Sequence, residues 1–392
     1  MRTALLLLMK FLRDFDFKNK RVIVRVGFNV PIKNSRVTDD FRIRAVLPTI
    51  KYLVKQGAKL ILISHLGRPA NTEEQYSLKP IAQHLSKLLN QDVKFINDCL
   101  GEQVKKEVKE LESGQIVLLE NLRFYSGELN NNPDFAKQVA ALGEIYVNEA
   151  FGVSHRNHAS IIGLPQYLPA CAGFLLEKEI KNLSRILDKP KHPLAVIIGG
   201  AKISTKIKMV EEFLEKADQL VLGGALANTV ISAKGLAIGK SIVEEEMIEK
   251  VKKLELTNIK LHIPVDVVVS IDSSGRASSR IAPVGNMKDK EMILDIGPDT
   301  RQLFSRVISQ AEMIIWNGPM GLFETEEFAS GSKDIALAVA QSSAFSVVGG
   351  GDTIALLGQL GLEDKIDHIS TGGGAMLKFL TGEKLPGIEA LE

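Results

Sequence analysis

Two glycine-rich stretches stand about one βα unit apart near the C-terminus. They are Trp316-Asn317-Gly318-Pro319-Met320-Gly321-Leu322-Phe323-Glu324 and Gly349-Gly350-Gly351-Asp352-Thr353. Each follows an apolar run that reads as a buried strand. A bare-backbone turn at a strand end, opening into a helix, gathers free N–H groups where an anion can sit. Asp352, inside the second turn, can hold a divalent cation beside that anion. Gly199-Gly200-Ala201-Lys202-Ile203-Ser204-Thr205-Lys206 also follows a strand. If it is helical, Lys202 and Lys206 share a face beside the Gly-Gly turn, which suits a polyphosphate; the bland alternative is two solvated lysines. A third turn, Gly372-Gly373-Gly374, comes after Ser370-Thr371. It fits a phosphate contact, a hinge or close strand–helix packing.

The first half of the chain carries the matching cations. Gly27-Phe28-Asn29, His65-Leu66-Gly67-Arg68, Glu120-Asn121-Leu122-Arg123, and Asn148-Glu149 followed by His155-Arg156 each succeed an apolar run. Arg42 opens the first long helical pattern. A guanidinium fork meets phosphate or carboxylate oxygens two at a time. One strand-end arginine is usually a solvated rim residue; the repeated choice argues for an anion site. His65 alone carries little, but among arginines it is a donor to the same anion.

These residues need a scaffold that brings strand ends together. Apolar runs at 22–26, 59–64, 93–96, 116–119, 145–147, 194–198, 220–222, 263–269, 313–316, 345–348 and 368–370 alternate with helical patterns. Residues 42–55 place Ile43, Val46, Leu47, Ile50, Leu53 and Val54 on one stripe, and Ser77 is positioned to cap the helix that follows. Strands that are apolar throughout belong to parallel sheets covered on both faces. The expected architecture is α/β, with two doubly wound parallel-sheet domains. Residues 1–168 make the first, 169–188 a connecting helix, and 189–379 the second.

With 392 residues, two domains are the natural division. Lysine plus arginine number 49 against 47 acidic residues, so the net field is weak. That argues against a general nucleic-acid or membrane binder, and no run reaches the roughly 20 apolar residues that span a bilayer. Cys99 and Cys171 form no disulfide framework, which suits a reducing cytoplasm. Leu5 to Leu8 are too few for a secretory core, and Met9 is an alternative start. Gly235-Leu236-Ala237-Ile238-Gly239-Lys240-Ser241 imitates a Walker A loop, but its glycine spacing is one short and no strong strand precedes it. No G-x-G-x-x-G follows a strand, which speaks against a nicotinamide dehydrogenase.

From about residue 18 to the end the chain resembles phosphoglycerate kinase, in order and at that family's spacing. The motifs are Arg25-Val26-Gly27-Phe28-Asn29-Val30-Pro31, Ser64-His65-Leu66-Gly67-Arg68-Pro69, Glu120-Asn121-Leu122-Arg123-Phe124, Gly199-Gly200-Ala201-Lys202, and the three C-terminal stretches above. The resemblance implies a cytoplasmic, monomeric, hinge-bending kinase of glycolysis, with residues 380–392 returning to the first domain. It would transfer a phosphoryl group between 1,3-bisphosphoglycerate and Mg-ADP. It assigns Gly27, Phe28, Asn29, Arg42, His65, Leu66, Gly67, Arg68, Arg123 and Arg156 to the phosphoglycerate. Lys202, Lys206, Asn317, Glu324, Gly350, Gly351, Asp352 and Thr353 fall to the nucleotide, with Asp352 on the Mg²⁺ side. Arg42, Lys202 and Lys206 would be catalytic, and the helix start at Gly372, Gly373 and Gly374 would stabilise the transition state. One position departs: the family has Asp where this chain has Gly27, and that carboxylate accepts from the substrate hydroxyl. A weakened or non-catalytic relative is therefore the alternative reading.

Overall fold

Valine, isoleucine and leucine run unbroken through the strands because helices cover both faces of each sheet. In the computed structural model, which describes residues 8–392, Val93–Ile96, Ile116–Leu119, Lys59–Ile63, Arg21–Val26, Ile145–Glu149 and Ala170–Ala172 lie side by side in that order. Every neighbouring pair is parallel. A second sheet orders Leu261–His262, Gln219–Leu222, Leu194–Ile198, Met313–Asn317, Phe345–Gly349 and His368–Ser370, again all parallel.

The chain groups into two units: Met1–Ser184 with Gly382–Glu392, and Arg185–Thr381. The division falls inside the helix Phe174–Asp188. In the first unit, helix Phe41–Lys55 buries Ile43, Val46, Thr49, Ile50 and Leu53 against the sheet. This is the stripe that an amphipathic helix turns inward. The C-terminal residues belong to the first unit's packing: Gly387 N donates to Ser154 O at 2.8 Å, and Asn148 Nδ2 donates to Gly387 O at 3.1 Å.

Three local expectations change. Residues 263–269 are not one strand of the large sheet. Leu261–His262 ends that sheet, and Asp266–Ser270 is the centre of a separate antiparallel sheet between Ser279–Pro283 and Met292–Ile296. Ser77 is not the cap residue: the helix is Lys79–Leu89 with Leu78 at its N-cap, although Ser77 Oγ still accepts from Lys79 N at 3.2 Å. Residues 199–206 are not helical, since the helix is Ile207–Lys216. Lys202 and Lys206 therefore lie on a loop and do not share a helical face. Residues Leu5 to Leu7 lie outside the described part.

Each large sheet reverses its winding once. The chain runs outward on one side of a central strand and then resumes on the other side. The reversals fall between Arg21–Val26 and Ile145–Glu149, and between Leu194–Ile198 and Met313–Asn317. A crevice opens beyond the carboxyl ends of strands at such points. The candidate residues follow these strands and others of the same sheets, namely Lys59–Ile63, Ile116–Leu119, Phe345–Gly349 and His368–Ser370.

Candidate active site

In the first unit the site is built on a buried cation. Arg25 lies inside its strand, in register with Asn148 and Ile63 and wholly buried. Its Nε donates to Ser160 Oγ at 2.8 Å, Nη1 to Val26 O at 2.5 Å, and Nη2 to His65 Nδ1 at 2.9 Å. Ser160 passes the charge balance onward: its N and Oγ donate to the buried carboxylate of Glu128 at 2.9 and 2.6 Å. A buried guanidinium is tolerated only with its donors filled and a counter-charge near.

The strand-end loops lock to one another around it. Gly67 N donates to Asn29 Oδ1 at 2.8 Å, while Arg42 Nη1 donates to Asn29 O and Arg123 Nη1 to Gly67 O, each at 2.5 Å. Asn121 Oδ1 accepts from Leu66 N and Arg123 N, and Phe28 N donates to Ser64 Oγ. The result is a crowd of positive charge. Burial, then Arg25, Arg123, His158 and Arg42, hold His65 well below its ordinary range, so its ring is neutral. Burial and Arg25 lower Arg123 to about 10, with Arg156 and Arg68 adding to the effect. Burial, Arg123 and Arg25 lower His158 to about 4. Cations that depress one another's charge mark a place prepared for an anion. Gly27 adjoins this crowd, and a Cβ there would meet only Ala150 Cα, at 3.9 Å.

The second unit has a different character. Gly199 N donates to Asn317 O and Gly200 N to Pro319 O across the reversal point. Lys206 Nζ sits between them, donating to Gly199 O at 2.6 Å and Asn317 O at 3.0 Å. Burial lowers it to about 8, against the pull of Asp352. Gly318 has φ +99°, and a Cβ there would strike Gly199 O at 2.3 Å, so this turn admits no larger residue. Its N–H donates to Thr353 Oγ1 at 2.8 Å, and Asn317 Nδ2 donates to Gly349 O at 2.9 Å. Helix Gly351–Leu360 begins here, N-capped by Gly350, so the amides of Gly351, Asp352 and Thr353 form its open first turn. Helix Gly373–Leu380 starts alongside, with Gly372 at its N-cap, and a Cβ on Gly373 would lie 3.0 Å from Gly350 Cα. Two helix N-termini and a lysine thus meet at one spot.

The structure gathers Gly27, Phe28, Asn29, Arg42, His65, Leu66, Gly67, Arg68, Arg123 and Arg156 in the first unit. In the second it gathers Lys206, Asn317, Gly350, Gly351, Asp352, Thr353, Gly372 and Gly373. Lys202 and Glu324 are exposed, and no described contact ties either to that cluster. Lys202 stands nearer Glu244, whose carboxylate accepts from Ser204 N and Oγ and so fixes the lysine-bearing loop. Sequence reasoning missed Glu244, Glu128, Ser160 and His158 as parts of the two sites. An arginine within an apolar strand, as Arg25 is, was the one available signal for the buried network. Gly235–Ser241 as numbered in the chain follows helix Gly224–Ala233 and not a strand, as a phosphate loop would require.

The phosphoglycerate kinase family profile matches residues 12–383. A phosphoglycerate kinase of Herpetosiphon aurantiacus is 49% identical over 386 residues, covering 97% of this chain and 98% of that protein. One of Dictyoglomus turgidum is 47% identical with the same coverage. Among solved structures, phosphoglycerate kinase from Coxiella burnetii superimposes with TM-score 0.84 at 42% identity, and that from Pyrococcus horikoshii with 0.87 at 38%, each over 98% of both chains. A match of this length, on a chain whose cationic and glycine-built sites sit at corresponding reversal points of two sheets, places the chain in the phosphoglycerate kinase family.

Proposed function

We propose that this member of the family transfers a phosphoryl group reversibly from 1,3-bisphosphoglycerate to ADP, giving 3-phosphoglycerate and ATP in glycolysis. One observation carries the reading: cations crowd the reversal point of one sheet, while glycine turns and helix N-termini crowd that of the other. Arg42, Arg68, Arg123, Arg156, His65 and Asn29 hold the phosphoglycerate. Lys206 and the first-turn amides of Gly350 to Thr353 hold the nucleotide phosphates, and Asn317 braces that turn. Lys202 and Glu324, both exposed, reach the nucleotide from their loops, and Gly372 to Gly374 face the moving group.

The acceptor in the ATP-consuming direction is a carboxylate, already ionised at neutral pH. No general base or covalent nucleophile is needed. Catalysis then consists of alignment and charge neutralisation around the phosphoryl group. Arg42, Lys202 and Lys206 supply that positive charge. Among the described residues no cluster of three metal-binding side chains occurs. A lone carboxylate, Asp352, fits Mg²⁺ that arrives on the nucleotide and keeps phosphate and water ligands. Bound there, Mg²⁺ would neutralise phosphate charge. Water would hydrolyse the acyl phosphate, so the units close on each other during turnover, bending near the connecting helix. The enzyme works as a cytoplasmic monomer.

An assay coupling ATP consumption to 3-phosphoglycerate tests this directly. Turnover that requires both substrates and Mg²⁺ is expected. A folded protein with no such turnover would leave the non-catalytic alternative standing.

A further inference from the structure

His65 and Arg25 meet through atoms whose roles are fixed by chemistry. A guanidinium can only donate. At 2.9 Å from Arg25 Nη2, His65 Nδ1 must therefore accept. A neutral imidazole that accepts at one nitrogen carries its proton on the other. Nε2 is bonded to no partner among the described residues, and the ring is 3% exposed. Arg25 itself is held on three sides, by Val26 O, by Ser160 Oγ and by His65, with Glu128 behind Ser160. It cannot swing to a ligand without leaving a buried network.

We infer that Arg25 is a positioning residue: it fixes His65 as the tautomer protonated on Nε2, so that the imidazole presents an N–H donor to the phosphoglycerate. This rests on the first unit being the phosphoglycerate site. It deepens that reading, because His65 becomes a fixed donor that neither accepts from the ligand nor takes its proton. The groups acting on the ring are Arg25, Arg123, His158 and Arg42, all cationic or lowered histidine, with Glu128 placed beyond Ser160. Burial and the four groups that act on the ring directly all disfavour a second proton on His65.

Nitrogen-15 histidine spectra of the full chain test the assignment, with His65→Asn identifying the resonance. The expected result is a protonated Nε2 and a bare Nδ1 that persist where an ordinary imidazole would take up its second proton. In Arg25→Met the ring should populate both tautomers. KM for 3-phosphoglycerate should rise about tenfold while KM for ATP stays put. Arg25→Gln, whose amide can still donate to Nδ1, should restore the single tautomer and recover part of the KM. A wild-type His65 protonated on Nδ1, or a folded Arg25→Met with the tautomer unchanged, overturns the inference. Should Arg25→Met fail to fold, the wild-type spectrum decides alone. A resonance of the expected tautomer that ignores added 3-phosphoglycerate would instead overturn the site reading and leave the tautomer assignment intact.

Discussion

Position 27 is where the chain departs most from the pattern it otherwise follows. The side chains gathered at the site are cationic or neutral imidazole, and the buried Glu128 among them is engaged by Ser160. Family resemblance puts a short acid at 27, accepting from the substrate hydroxyl. Without it a buried hydrogen bond is missing, at a cost on the order of 1–3 kcal/mol. The backbone at Gly27 is not left-handed, and its Cβ position has only Ala150 Cα at 3.9 Å. An aspartate fits without strain, and the surrounding cations would keep it ionised. Gly27→Asp should therefore lower KM for 3-phosphoglycerate by about ten- to a hundredfold, since 1.4 kcal/mol is a factor of ten, with little change for ATP. Steady-state kinetics with each substrate varied in turn check this. An unchanged KM for 3-phosphoglycerate would mean the hydroxyl is read elsewhere, or by water.

Among elements, the connecting helix is held by a residue with an awkward environment. Glu149 ends its strand beneath the start of helix Phe174–Asp188, and its carboxylate accepts from Leu175 N at 3.2 Å, Leu176 N at 2.9 Å and the Thr49 hydroxyl. Gly173 is required above it, because a Cβ there would lie 2.2 Å from the carboxylate carbon. The three donors favour the ion, yet burial outweighs them, helped by Glu179, and raises Glu149 to about 7 from 4.5. A carboxyl raised on folding stabilises fully below its unfolded value, and that contribution fades as pH climbs to the folded value. The window is thus between 4.5 and about 7, and the loss is on the order of 3 kcal/mol. Asp295, raised to about 7 in the second unit, acts with the same sign. Glu149→Gln should lower stability, since its one amide oxygen cannot accept from the Leu175 N and Thr49 side and from Leu176 N at once, but it should flatten the fall between pH 5 and 8. Denaturant midpoints of variant and wild type at both pH values check the slope; parallel curves would remove Glu149 from the account. The large sheets were legible in the sequence because buried parallel strands are apolar at every position. The antiparallel sheet at Asp266–Ser270 was not, since Leu261–His262 and Asp266–Ser270 sit within one nearly continuous apolar stretch that belongs to two sheets. Lys206 was found by type and spacing, but its loop placement is set by contacts to Gly199 and Asn317 that no local pattern encodes. Glu128, Ser160 and His158 escaped for the same reason: each serves a partner distant in the chain.

At the scale of the molecule, the charge is arranged and not abundant. The net charge is +2, while the first unit concentrates Arg25, Arg42, Arg68, Arg123 and Arg156 around one site. Such local fields draw anions without making the whole surface sticky. The residues proposed for the two substrates belong to separate units, one ending at Ser184 and the other beginning at Arg185. In-line transfer requires reacting atoms about 3–3.5 Å apart, and exclusion of water requires that they be enclosed. In the proposed function neither substrate alone contacts both units, so neither alone would have the differential affinity to drive closure. Binding of both would. Small-angle X-ray scattering of the whole chain should therefore give a smaller radius of gyration with 3-phosphoglycerate plus a non-hydrolysable Mg-ATP analogue than with either ligand by itself. Arg123→Ala should abolish the extra compaction at concentrations that saturate the nucleotide site, because it removes one half of the bridge. If the ternary sample scatters as the binary ones do while the enzyme still turns over, the units meet without any ligand-driven closure, and the connecting helix is a strut instead of a hinge.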